Sequence, residues 1–188
     1  MDYKKRARGL LEENIKNKNL IKHNLAAAAL MRSLAAYLGE SDRAELWELS
    51  GLLHDLDWEK TADNPKKHGE LGAQILEQNE FPEEVVQAIR RHNYLAGATL
   101  PETLMEKALY YGEEITGLVV AAALVLPEKK LGRLTVENIM NRFKEKAFAR
   151  GVNRELLSRA PEKIGISLKK LAEIALEAMG EISEELGL

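Results

Sequence analysis

Apolar residues along this chain recur at three- and four-residue intervals and not at every second position, the spacing that lines one face of an α-helix. Leu46, Leu49, Leu52 and Leu53 form one such stripe, Leu71, Ile75 and Leu76 another, and Val85, Val86 and Ile89 a third. No alternation of period two stands out over four or more residues, so no sheet is predicted. Polar and helix-breaking positions divide the chain. A first charged helix covers about 2–16 and ends near Asn17-Lys18-Asn19, and a second covers about 20–38 and stops at Gly39. Ser41 caps a third, which ends in HDLDWEK, residues 54–60. Asn64-Pro65 opens the next, with Asn as cap and Pro at the first helical position. Phe81-Pro82 opens another, and Leu100-Pro101 opens a long helix that reaches about Leu126. Thr135, Asn153 and Ser167 cap three more. Within the second helix, the run Ala26–Ala29 has little bulk and lets a neighbouring helix approach closely.

The chain has 188 residues, 45% of them hydrophobic, which suits one domain spanning 1–188 with its own core. Ala, Leu, Glu, Lys and Arg dominate, a helix-forming composition. An all-α bundle of about eight to ten helices is therefore expected. There is no Cys, which excludes a disulfide framework, thiolate zinc sites, iron–sulfur clusters and a cysteine nucleophile. Any metal must be held by nitrogen and oxygen. A net charge of -3 gives no general footprint for nucleic acid, and no nucleic-acid partner is expected. The longest apolar run, from about Ile115 to Leu126, is too short to span a bilayer. The start of the chain lacks the apolar stretch of a secretory signal, so a cytoplasmic protein is expected.

The chemistry-bearing residues are unevenly placed. The four histidines, His23, His54, His68 and His92, lie in the first half, and none of the five Asp lies beyond Asp63. The informative pair is His54-Asp55, at the end of the apolar run Leu49–Leu53. A carboxylate at such a position is costly unless it is paired or bound to a metal. Taken alone, the dipeptide reads as a helix-terminal His and a loop Asp. His23 in the preceding helix, His68 after Pro65 and His92 closing the Val85–Ile89 helix change that reading. The set lies on four successive helices that a bundle can converge on one cavity.

This order, with the surrounding text LSGLLHDLDW, HGELGAQIL, FPEEVVQAIRRHN and LMEKALYYGEEITGLV, resembles the HD superfamily of metal-dependent phosphohydrolases. The resemblance covers about residues 20–120 as a motif-bearing core, and about 128–188 is similar to the C-terminal helical extension of one small subgroup. It implies that His23, His54, Asp55 and Glu113 hold a first divalent metal. Asp55 then bridges to a second, which His68 and His92 complete. Two positions depart from the family pattern. Glu113 stands where the family carries Asp, with Glu114 as the adjacent alternative. Asn93 stands where members with two metals often have a further His.

One or two ions of Fe, Mn, Ni, Zn or Co suit such a mixed imidazole and carboxylate set. The reaction implied is hydrolysis of a small phosphorylated substrate, a nucleotide being the first choice, by a metal-activated water. The alternatives are a di-iron oxygenase of the same superfamily and a non-catalytic HD module that binds a ligand. Asp55 and Asp57 are the expected catalytic carboxylates, with Asp57 orienting the attacking water or acting as general base. Lys60, Lys66 and Arg91 are candidate contacts for the phosphate. Asn24 and Arg32 share the His23 helix and are candidates to line the pocket, and Trp58 lies beside the expected metal.

Overall fold

Side-chain caps set many of the helix starts. Asp2 accepts from the backbone N–H of Lys5 to begin α1 (Tyr3–Asn14), and Asn17 accepts from Asn19 to begin α2 (Lys18–Tyr37). The computed structural model describes residues 2–93, 95 and 100–188. Among these it is all-α, with no strand. Then follow α3 (Ala44–Leu53), α4 (Trp58–Thr61), α5 (Glu70–Gln78), α6 (Glu83–Arg91), α7 (Leu104–Gly112) and α8 (Glu114–Leu124). The remainder is α9 (Val136–Lys144), α10 (Arg154–Ile164), α11 (Leu168–Glu181) and α12 (Ser183–Leu186). Thr135, Asn153 and Ser167 cap α9, α10 and α11 as their sequence positions predict. Thr103 and Glu106 close a reciprocal capping box at the start of α7, satisfying two backbone donors that a helix end leaves without partners.

Three expected helix boundaries differ, and two of the differences matter for the site. The long helix expected from Leu100-Pro101 to Leu126 is two helices that meet at Glu113. There the Thr116 N–H bonds back three residues to the Glu113 carbonyl at 2.9 Å, tightening the turn and interrupting the four-residue ladder. Asn64-Pro65 opens only a 3-10 turn, Pro65–Lys67. His68 is then extended (φ -61°, ψ 136°) and Gly69 is left-handed (φ 87°), so α5 cannot begin before Glu70. Ser41 likewise opens a 3-10 turn, Ser41–Arg43, ahead of α3.

The core forms two clusters. One packs α1, α3, α5 and α6 around Leu11, Leu53, Leu76, Val85 and Ile89. The other packs the faces of α2, α7, α8 and the C-terminal helices around Leu30, Leu34, Leu109, Ile115 and Leu171. Helices α2 and α3 contribute to both. Their backbones touch because the Ala run of α2 faces Gly51 of α3: a Cβ on Gly51 would lie 2.5 Å from the Ala27 carbonyl oxygen. This approach sets the site. His23 is one helical turn before Ala27, and His54 is one turn after Gly51, so the two backbones deliver both imidazoles to the same end of the pair.

Candidate metal centre

Three of the four histidines sit at helix edges and not within helices, a correction to the expectation that each lies on one. His54 directly follows α3, and His92 directly follows α6. Each uses the same local device. The last carbonyls of a helix lack intrahelical donors. His54 Nδ1 donates to the Gly51 carbonyl at 2.8 Å and His92 Nδ1 donates to the Ile89 carbonyl at 2.6 Å. With Nδ1 carrying the proton, each ring turns an unprotonated Nε2 into the cavity. His68 is turned by a carboxylate: its Nδ1 donates to Asp57 Oδ1 at 2.7 Å. His23 projects from within α2.

The inward atoms form two adjoining groups, His23, His54 and Glu113, and Asp55, His68 and His92, each with donor atoms within 4.8 Å of one another. In the first group the Nε2 atoms of His23 and His54 are 3.1 Å apart. Glu113 Oε2 is 3.6 Å from the former and 4.0 Å from the latter. In the second, the Nε2 atoms of His68 and His92 are 2.9 Å apart. Asp55 lies between them. Its Oδ2 is 3.5 Å from His23 Nε2 and 3.6 Å from His54 Nε2, while its Oδ1 is 3.2 Å from His68 Nε2. The Asp55 backbone N–H is held by the buried Asn24 side chain, whose own amide donates to the Leu20 carbonyl.

The donor set fits divalent transition metal ions. Imidazole nitrogens converge with two carboxylates at separations where lone pairs repel unless a proton or a cation lies among them, and this is a nitrogen and oxygen set that suits such ions. Burial and the neighbouring His54 push the His23 imidazole down to about 4, and burial with His68 pushes His92 down to about 3. Both are therefore neutral ligands at neutral pH. Burial alone would push His68 down as well, but its bonds to Asp55 and Asp57 overcome this and raise it to about 9. Burial opposes ionisation of Asp55, yet the surrounding imidazoles draw it well below the usual carboxylate range. Burial, Glu114 and Asp55 together push Glu113 well above that range.

These groups open onto a cleft of about 330 Å³ whose lining includes Leu20, Trp58, Asn93, Leu95, Tyr110 and Glu114. Its far wall comes from the C-terminal extension, through Gly151 and Leu156. The Arg154 guanidinium shapes that wall by donating to the carbonyls of Phe143, Glu145, Phe148 and Ala149. Nothing in the sequence marked Gly151 or Leu156 as part of the site, and Gly51 and Tyr110 stood only within the family-like text without a role of their own. The four-carbonyl acceptor set of Arg154 has no sequence signature, because it depends only on the path of the backbone.

Several expected roles are redistributed. Asp57 does not line the cleft. It is buried, and its second oxygen accepts from the N–H groups of Gly69 and Gly72 at 2.9 and 2.8 Å, so it holds His68 and has no free oxygen to turn toward an attacking water. None of the three candidate phosphate contacts lines the cleft. Lys60 bonds the Asn14 side chain at 2.5 Å, Arg91 is held by Glu102 and Glu106 at 2.9 and 3.0 Å, and Lys66 is exposed on the 3-10 turn. Arg32 pairs with Glu48 on a different face. Asn93 donates to the carbonyls of Pro65 and His68, and its oxygen accepts from Leu95. It thus fixes the His68 loop, and its oxygen is engaged by the Leu95 N–H.

An all-α frame, a His-Asp pair at the end of its third helix and four convergent histidines define an HD-type site whose donors are positioned to hold a metal. The chain belongs to the HD domain family, whose model matches residues 20–125. It is also similar to ribonuclease Y of Lawsonia intracellularis (strain PHE/MN1-00), with 30% identity over 141 residues, 73% of this chain and 26% of that relative. Ribonuclease Y of Acholeplasma laidlawii (strain PG-8A) is 27% identical over the same length and shares. The chain thus spans about a quarter of the length of these curated relatives. No solved structure gives a significant match. No helix among the described residues is long and apolar enough to cross a membrane.

Proposed function

We propose that this chain is a metal-dependent phosphohydrolase that cleaves a phosphodiester. The observation that carries the reading is the placement of Asp55, with one oxygen toward His23 and His54 and the other toward His68. One carboxylate shared by two donor groups is the arrangement that suits a pair of ions. Ions bound there would activate water and draw charge from the phosphate oxygens. The chain's own residues do the rest. The carbonyls of Gly51 and Ile89 and the Asp57 carboxylate fix ring orientation, Asn24 and Asn93 hold the backbone of Asp55 and the His68 loop, and the extension walls the cleft. The name carried by both curated relatives favours a diester over a monoester as the bond attacked, and a single-stranded RNA therefore joins the test panel despite the acidic net charge.

The test begins with protein stripped by chelation and reloaded separately with Mn, Fe, Co, Ni or Zn. It is then offered nucleoside diesters, single-stranded RNA and phosphomonoesters. Turnover of a diester that needs added metal and is lost in Asp55→Ala is the expected result. Full metal occupancy with no cleavage of any phosphate ester would overturn the reading.

A further inference from the structure

The cleft has an acidic rim and an aromatic step. Among the described residues that line it there are three carboxylates, Asp55, Glu113 and Glu114, and no Lys or Arg. Apolar and aromatic surface at the cleft is therefore a candidate for recognising what surrounds the scissile phosphate. Two of the few large hydrophobic side chains left exposed among the described residues lie at this cleft, Trp58 at 43% and Leu95 at 49% exposure. The Trp58 indole meets the His68 ring edge to face at 4.9 Å and 86°, so it adjoins a candidate metal ligand directly.

Trp58 is also held firmly. Its backbone N–H donates to the Asp55 carbonyl at 2.9 Å. The next residue, Glu59, accepts from the backbone N–H groups of Lys16 and Asn17 at 3.1 and 2.8 Å, and Lys60 ties to Asn14. Helix α4 is thereby fastened to the α1–α2 turn. On its other side the indole borders a second recess with Asn17, Asn19 and Glu59, and both recesses reach His23.

We propose that Trp58 is a stacking platform for a planar ring of the substrate, placed immediately beside the scissile phosphate, so that the preferred substrate is a nucleoside-bearing phosphodiester and not a simple alkyl diester. This rests on the phosphodiester reading above. A base stacks on an indole whatever its identity, because every base offers a π face. The proposal therefore predicts selection for a ring without selection among bases.

The test compares two ligands of equal charge, the methyl ester of AMP and dimethyl phosphate, on manganese-loaded wild type, Trp58→Ala and Trp58→Phe. Trp47 is fully buried, so ligand-dependent quenching of indole fluorescence on rapid mixing reports Trp58, and Trp58→Phe serves as the blank. Quenching by the AMP ester and none by dimethyl phosphate is expected. Trp58→Ala should raise KM for the AMP ester about tenfold with kcat and metal content unchanged, and Trp58→Phe should recover most of that loss. Equal binding of both ligands, or a KM indifferent to Trp58→Ala, overturns the platform even if the diester is hydrolysed. Ring-dependent quenching with no cleavage of any phosphate ester in the panel above leaves the platform standing and removes the hydrolase reading.

Discussion

Asp57 Oδ1 lies 2.7 Å from His68 Nδ1, and Asp57 Oδ2 accepts from two glycine N–H groups, in a carboxylate with no solvent exposure. A group so engaged orients a ligand. Asp57→Asn keeps the shape but sets an amide N–H₂ against donors. Metal affinity should fall about 10–100-fold, as for other partners of ligating histidines, and stability should drop by about 1–3 kcal/mol. Metal content after dialysis at graded free metal separates this from a general-base role, which would leave binding intact and depress kcat alone.

The two donor groups predict distinct effects on metal stoichiometry. Glu113 belongs to the first group only, while Asp55 faces both. Glu113→Gln should leave one ion per chain with the second group occupied. Asp55→Ala should leave none, with the helical circular dichroism retained. Elemental analysis of both variants decides it, and equal metal content in the two would contradict a shared Asp55.

Gly51 links packing to chemistry. A methyl group there would meet backbone atoms of Ala27 and Ala28 at 2.5 to 2.8 Å, and backbone cannot move aside as a side chain can. Gly51→Ala should cost about 1–3 kcal/mol or more. It should also weaken metal binding, because separating α2 from α3 separates His23 from His54. Chemical denaturation and metal titration on the same preparation check both halves.

A pH effect is expected away from the cleft. Glu48 of α3 accepts from Lys4 of α1 at 2.7 Å and Arg32 of α2 at 2.6 Å. Burial pushes its carboxyl up, but the two cations outweigh this and hold it below its ordinary value of 4.5. A carboxylate lowered by folding stabilises fully above its unfolded value, and that contribution is lost as pH falls through the folded one. Glu48→Gln should therefore destabilise by about 1 kcal/mol or less at pH 7, the pair being partly exposed. The gap should close as pH drops below about 4.5; urea unfolding of both proteins across this range measures it.

Much of this was legible in the sequence because its signals are local. Helical spacing gave the all-α frame, cap residues placed three C-terminal helix starts, and the Ala26–Ala29 run announced a closely packed neighbour, which the structure shows to be α3. The histidines were legible as a set because their order carries the family resemblance, and the structure brings His23, His54, Asp55, His68, His92 and Glu113 together. What the sequence left hidden depends on how distant backbone meets. Asp57 reads as a candidate base until the N–H groups of Gly69 and Gly72 are seen to occupy it. Lys60 and Arg91 read as phosphate contacts until Asn14, Glu102 and Glu106 claim them. The break at Glu113 is invisible in composition, because Glu113 keeps helical dihedrals (φ -63°, ψ -35°) and only the hydrogen-bond register changes.

The Arg154 clamp has a consequence for how such a cleft can diversify. All six donors lie between residues 23 and 113, inside the stretch that matches the family, whereas Gly151 and Leu156 lie beyond it. The donors thus come from one part of the chain, and one wall of the cleft comes from another. Arg154 holds its loop through four main-chain carbonyls, while Phe143, Phe148, Ala149 and Val152 pack that loop onto the core, so a change that reshapes the wall without loosening it is confined to positions such as the exposed Gly151.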